Sequence, residues 1–215
     1  MKIHAIKFAR STLPESMVLA GGDPGKSLEI SFLLYVLELP HRKILIDAGC
    51  DSLPGFDMRN HISPATALRN YGIDPETITD VIITHAHHDH IDGLRHFPMV
   101  RVYIQAAEFG KGISYIPDDA VVITFRDRCS IADGIEVRHI GGHTIGSSII
   151  KVTTEKETYI FGGDECYLPI CVEKNIPTGT SHNPKASADF LQEIRTCGCR
   201  LLLTHDTKIS TGIII

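Results

Sequence analysis

Nothing in the 215-residue chain is apolar for long enough to lie across a bilayer. The longest such run, Ile30 to Leu39, is broken by Ser31 and Glu38 and reaches about half of the ~20 residues that a membrane-spanning helix needs. The segment Met1-Lys2-Ile3-His4-Ala5-Ile6-Lys7 has neither the apolar run nor the cleavage site of a secretory signal, so a cytoplasmic location is expected. No framework spacing links Cys50, Cys129, Cys166, Cys171, Cys197 and Cys199, which fits reduced thiols rather than bridges. Runs of Lys or Arg are missing, and 21 Lys+Arg against 26 Asp+Glu give a net charge of −5, leaving no footprint for nucleic acid or anionic lipid. Low-complexity segments, Gly/Ser linkers and fixed-period repeats are also lacking, so residues 1–215 are expected to form one domain. By exclusion the partner is a small-molecule substrate. The oligomeric state stays open.

What is there is an ordinary globular composition, 43% hydrophobic and 22% charged. A chain of this length buries roughly 70% of the surface that its unfolded form exposes, so a metal is not needed merely to fold it. Ten β-branched-rich segments read as strands: Ile3–Phe8, Leu28–Leu39, Lys43–Asp47, Asp80–Thr84, Val100–Ile104, Val121–Phe125, Gly134–His139, Ser147–Thr153, Thr158–Phe161 and Arg200–Thr204. Helical signals are fewer. Ser63-Pro64 opens a helix that Gly72 stops, a second runs from Pro184 to about Thr196, and a short one covers Ala106–Gly110. Strand runs interrupted by helices imply sheets covered by helices. Leu168–Asn183 reads as a long irregular stretch bordering the substrate pocket, with Leu168, Ile170 and Val172 as apolar lining.

Ala20-Gly21-Gly22-Asp23-Pro24-Gly25-Lys26-Ser27 has the look of a degenerate phosphate-binding loop, but a strand rather than a helix follows it, so a turn is expected. The informative segment is Val81-Ile82-Ile83-Thr84-His85-Ala86-His87-His88-Asp89-His90-Ile91-Asp92-Gly93. With 12 His and 15 Asp in the chain, chance produces His-x-His-x-Asp-His with a probability of only about 0.003. A strand end followed by a tight loop lets His85 and His87 point onto one cation, while Asp89 and His90 reach a second; imidazole and carboxylate together suit zinc. His143, Asp164 and His205 each stand just past another apolar run, where strands deliver side chains to a shared edge. His88 alternates away from this set, and Cys197-Gly198-Cys199 lacks the further ligands of a structural metal site.

With these motifs the sequence resembles the metallo-β-lactamase superfamily of αββα hydrolases, over most of the chain from Ile44-Leu45-Ile46-Asp47-Ala48-Gly49 to Thr204-His205-Asp206. The resemblance implies an α+β, four-layer αββα fold with two mixed sheets sandwiched between helices. It also implies two divalent metal ions, zinc by expectation with iron or manganese as alternatives. His85, His87 and His143 would hold one, Asp89, His90 and His205 the other, and Asp164 with a hydroxide would bridge them. Asp47 would orient the histidine loop by hydrogen bonds.

Asp164 stands where the zinc β-lactamases proper carry cysteine, and His87 where flavodiiron proteins carry glutamate. Glyoxalase II-like thioesterases continue the third motif as His-Thr-x-Gly-His, whereas this chain reads His143-Thr144-Ile145-Gly146-Ser147. Asp164-Glu165-Cys166-Tyr167 is similar to the N-acyl homoserine lactonases, in which a tyrosine at that offset touches the substrate carbonyl. The stretch from Asp51 to Ser63, where that family builds part of its acyl pocket, is short. The resemblance therefore implies a lactonase in which the bridging hydroxide attacks the ester carbonyl, Tyr167 faces the oxyanion and Asp89 carries the proton to the leaving alkoxide. A thioesterase or a phosphodiesterase of the same fold stays open. So does a mononuclear iron dioxygenase, which would leave part of the ligand set unused.

Overall fold

The computed structural model describes residues 1–215. Strands β1 (Lys2–Pro14), β2 (Ser27–Leu39), β3 (Arg42–Ile46), β4 (Asp80–Ile83), β5 (Arg101–Gln105), β6 (Val121–Phe125) and the short β12 (Gly212–Ile213) form a seven-stranded sheet in the order β12-β1-β2-β3-β4-β5-β6. A second, five-stranded sheet has the order β11-β10-β9-β8-β7, from β7 (Arg128–Ala132), β8 (Ile135–His139), β9 (Ser148–Thr153), β10 (Thr158–Phe161) and β11 (Arg200–Leu202). Both are mixed: β3 to β6 run parallel, as do β10 and β11, and the remaining pairs are antiparallel.

The period-two alternation of β2 explains how the layers stack. Leu33, Tyr35 and Leu37 face the second sheet and meet Ile150, Val152 and Phe161 there, while Phe32, Leu34 and Val36 face the helical layer. Both faces are buried, so the strand is apolar at nearly every position. The helices α1 (Glu15–Val18), α2 (Pro64–Tyr71), α3 (His88–Ile91), α4 (Ala106–Gly112), α5 (Pro169–Lys174) and α6 (Pro184–Thr196) complete the αββα arrangement. None is long and apolar enough to cross a membrane. Ser63 caps α2 by accepting from the Thr66 amide at 3.2 Å, Pro64 fills its first position, and Gly72 ends it at φ 95°. Asn183 caps α6 in the same way, and Phe190, Leu191 and Ile194 are its buried stripe.

All ten expected strands and three expected helices are present, with differences of physical origin. Leu168–Asn183 is not irregular throughout: Pro169 opens α5, and Asn175 closes it in the left-handed region at φ 54°. Six residues are too few for a helical period to register in sequence. β7 and β12 are additions, and β1 continues to Pro14 past a register shift between Lys7 and Ala9. Ala20–Ser27 is a turn that runs into β2, as its context demands.

Candidate metal centre and substrate cavity

The donors stand at or just beyond the carboxyl ends of strands: Asp47 after β3, Thr84 to His90 after β4, His143 after β8, Asp164 after β10 and His205 after β11. Because β3 and β4 are parallel, and β10 and β11 likewise, these ends open at one edge of the sandwich. The seven side chains meet there in two groups. His85, His87, His143 and Asp164 offer ligand atoms within 4.8 Å of one another, and so do Asp89, His90, Asp164 and His205. Nε2 of His85 and Nε2 of His143 lie 2.9 and 3.0 Å from Nδ1 of His87. Asp164 divides its carboxylate: Oδ2 lies 3.7 and 3.6 Å from Nε2 of His85 and His143, and Oδ1 lies 3.2 Å from Nε2 of both His90 and His205.

The outward hydrogen bonds show what this arrangement is built to receive. Nδ1–H of His205 donates to the Ser31 carbonyl at 2.9 Å, and Nδ1–H of His90 donates to Asp47 Oδ2 at 2.8 Å. A neutral ring so held turns the lone pair of Nε2 inward. Two nitrogen lone pairs then face the oxygen lone pairs of Asp164, and His90 Nε2 and Asp164 Oδ1 are buried with no hydrogen-bond partner. Orphaned acceptors of this kind are costly unless a cation satisfies them. Imidazole and carboxylate donors of this number fit a divalent metal in each group.

Burial is the largest influence on every group here. It pushes His85 well below the usual imidazole range and His143 down to about 4. Against the same burial, Asp164 draws His90 and His205 upward, helped at His90 by Asp47 and Asp89, so the same inward positions favour a positive charge, a proton or the cation that would displace it. Asp164 is correspondingly held well below the carboxylate range, the two imidazoles outweighing its desolvation.

Four residues that sequence alone does not single out hold the loops in place. Thr84, at the end of β4, donates its amide and hydroxyl to Asp47 at 2.8 and 2.9 Å. Asp47 itself sits at φ 55°, a conformation that aspartate tolerates better than most residues. The buried Glu108 accepts from Ala86 N, Thr144 Oγ1 and Gly146 N at 3.0, 2.8 and 2.9 Å, joining the first histidine loop to the His143 loop. Glu165, fully buried, accepts from the amides of Gly142 and His143 and from the hydroxyls of Ser147 and Ser187. Burial raises its carboxyl, and a Cβ at Gly142 would collide with it. Thr180 Oγ1 lies 3.1 Å from the Tyr167 hydroxyl.

A cavity of about 180 Å³ opens onto the cluster. Its lining combines His87, Asp89, His143, Asp164, Tyr167, Thr180 and His205 with the apolar Leu13, Met17, Ile30, Phe32, Leu53 and Phe56. The apolar lining therefore comes from β1, α1, β2 and the Asp51–Ser63 stretch. Leu168, Ile170 and Val172, expected to line the pocket, instead pack against the core because α5 turns them that way, and only Thr180 of that segment reaches the cavity. Tyr167 is 6% exposed, with its ring edge-on to His205 at 5.2 Å and to His143 at 5.8 Å. His88 points aside, its Nε2 3.7 Å from Asp92 Oδ2. Cys197 and Cys199 lie elsewhere.

Residues 33–196 match the family model of the metallo-beta-lactamase superfamily. The chain belongs to that family. An N-acyl homoserine lactonase from a Bacillus species is 24% identical over 179 residues, covering 72% of this chain and 71% of the relative. Among solved structures, a variant of Bacillus thuringiensis AiiA with N-decanoyl-L-homoserine bound at its active site superposes with a TM-score of 0.84 at 20% identity, over 96% of this chain and 94% of that one. AidC, a dizinc quorum-quenching lactonase with N-hexanoyl-L-homoserine bound as product, gives a TM-score of 0.78 at 13% identity, over 98% of this chain and 88% of that one. The two structures share the metallo-beta-lactamase fold with this chain.

Proposed function

We propose that this member of the metallo-beta-lactamase superfamily is a dinuclear metal hydrolase that opens a lactone, of the N-acyl homoserine lactone kind. Tyr167 carries the choice of substrate, because it lines one cavity with five of the seven donors, His87, Asp89, His143, Asp164 and His205, and with six apolar side chains. In this reading His85, His87 and His143 would hold one ion and Asp89, His90 and His205 the second, with Asp164, whose carboxylate lies beside both groups, serving both. Divalent ions there, zinc by preference and iron or manganese as alternatives, would supply Lewis acidity toward a water and an ester carbonyl. Tyr167 donates to the carbonyl oxygen as negative charge develops on it. Asp89, at the cavity wall, moves the proton from the attacking water to the leaving alkoxide. In a lactone the acyl and alkoxide halves remain one molecule, and Met17, Leu53 and Phe56 cover its side chain.

The lactonase activity of the Bacillus relative and the dizinc centre of AidC support this reading. The second four-donor group argues against a mononuclear iron dioxygenase, which needs only one group. Turnover of lactones with graded acyl chains, of thioesters and of bis-nitrophenyl phosphate, after loading with zinc, manganese, cobalt or iron, tests it. Lactones are expected to be hydrolysed at least tenfold faster than the others. A preference for thioester or phosphodiester would transfer the assignment to those chemistries.

A further inference from the structure

A separate groove of about 290 Å³ lies on the outer face of the five-stranded sheet, beside the carboxyl end of α6, and shares no residue with the hydrolytic cavity. Cys197 and Cys199 both line it. Cys50, Cys166 and Cys171 are buried and Cys129 is half-buried on β7, so only here do two thiols share one accessible spot. Gly198 between them takes φ +65°, which folds the chain back so that the Cys199 amide donates to Cys197 Sγ at 3.1 Å. Cys197 is the more exposed of the two. Burial and the neighbouring thiol push Cys199 up to about 11, marking it as the slower, second sulfur. Arg128, Arg138 and Lys151 line the same groove. Arg128 and Arg138 pair with Glu136 and Glu193, whereas Lys151 has no acidic partner within 4.0 Å.

The geometry points to a redox-active dithiol at Cys197-Gly198-Cys199 that exchanges with small disulfides bearing carboxylates, which the unpaired Lys151 attracts into the groove. The Cys197 thiolate attacks one sulfur of the small disulfide, forming a mixed disulfide and expelling one small thiolate, which takes up a proton. Cys199, once deprotonated, attacks Cys197 Sγ; the mixed disulfide breaks, the second small thiol leaves, and a Cys197–Cys199 disulfide closes. The protein dithiol thereby loses two electrons and two protons, and the small disulfide becomes two thiols. An exposed disulfide in so tight a loop is readily reduced again, so the exchange is reversible.

The full-length reduced protein, incubated with oxidised glutathione or with the cationic disulfide cystamine and followed by intact and peptide mass spectrometry, tests this. Wild type is expected to lose the mass of two hydrogens at Cys197–Cys199, and Cys199→Ser to accumulate a single adduct on Cys197. Oxidised glutathione should react roughly tenfold faster than cystamine at low salt, and Lys151→Ala should narrow that ratio. Adducts that persist on wild type, that fall on Cys129 or the buried cysteines, or that form equally fast from both probes would overturn the proposal. Circular dichroism of the serine variant at wild-type amplitude ensures that a misfolded chain is not mistaken for a negative result.

Discussion

Tyr167 is the residue at which packing and chemistry are hardest to separate, because its ring braces His143 and His205 while its hydroxyl meets Thr180 in the cavity. Removing the hydroxyl alone separates them. Tyr167→Phe keeps the ring contacts and loses only the donor. A principal oxyanion donor is worth ~2.7–4 kcal/mol, but with the proposed ions bound they would carry most of that load. We therefore expect a loss of roughly tenfold to a hundredfold in lactone turnover, with metal content and melting temperature unchanged. Steady-state kinetics beside elemental analysis decides it; wild-type turnover at full metal content would reduce Tyr167 to a packing residue and remove the main support for a lactone substrate.

At the scale of elements, the strands and the coming together of the seven His and Asp side chains are readable because both have strong signatures: β-branched runs bounded by Gly, Pro or Asp, and His-x-His-x-Asp-His directly after one of them. The short elements were not. α1, α3 and α5 span four to six residues, less than two helical turns, so periodicity cannot announce them, and the proline that opens α5 reads equally well as a breaker. Glu108 carries no local signal at all, since only tertiary structure brings the loops after β4 and β8 to its carboxylate. Its role is open to test. Glu108→Ala leaves three donors without their acceptor and should cost about 2–4 kcal/mol by urea titration, with reduced metal occupancy, whereas Glu108→Gln keeps one acceptor oxygen and should cost less. The misplaced pocket wall gives a second test. Phe56→Ala should shift the preferred acyl length of a lactone series, while truncation of Ile170, which packs against the core, to alanine should lower stability and leave the order of preference intact.

For the whole molecule, the centre draws its residues from both sheets: the histidine loop from the seven-stranded sheet, and His143, Asp164 and His205 from the five-stranded one. The sheets are also joined where the amides of Ser31 and Leu33 donate to the carbonyls of His205 and Thr204, and where the Tyr35 hydroxyl donates to Leu203 O at 2.7 Å. Ions bound to both sets of donors would therefore stabilise the sandwich as a unit, because the unfolded chain offers no such arrangement. One site with free ion at about 100 times its Kd contributes about 2.7 kcal/mol, and for a chain of this size each kcal/mol moves the melting temperature by about 2–4 °C. Protein purified without chelator should contain two ions per chain, and chelation should lower its melting temperature by about 5 °C or more. Asp164→Asn, which keeps the shape but weakens both groups at once, should lose ions from both and respond little to chelator. Retention of one ion per chain in that variant would mean that the two groups bind independently and that Asp164 does not join them.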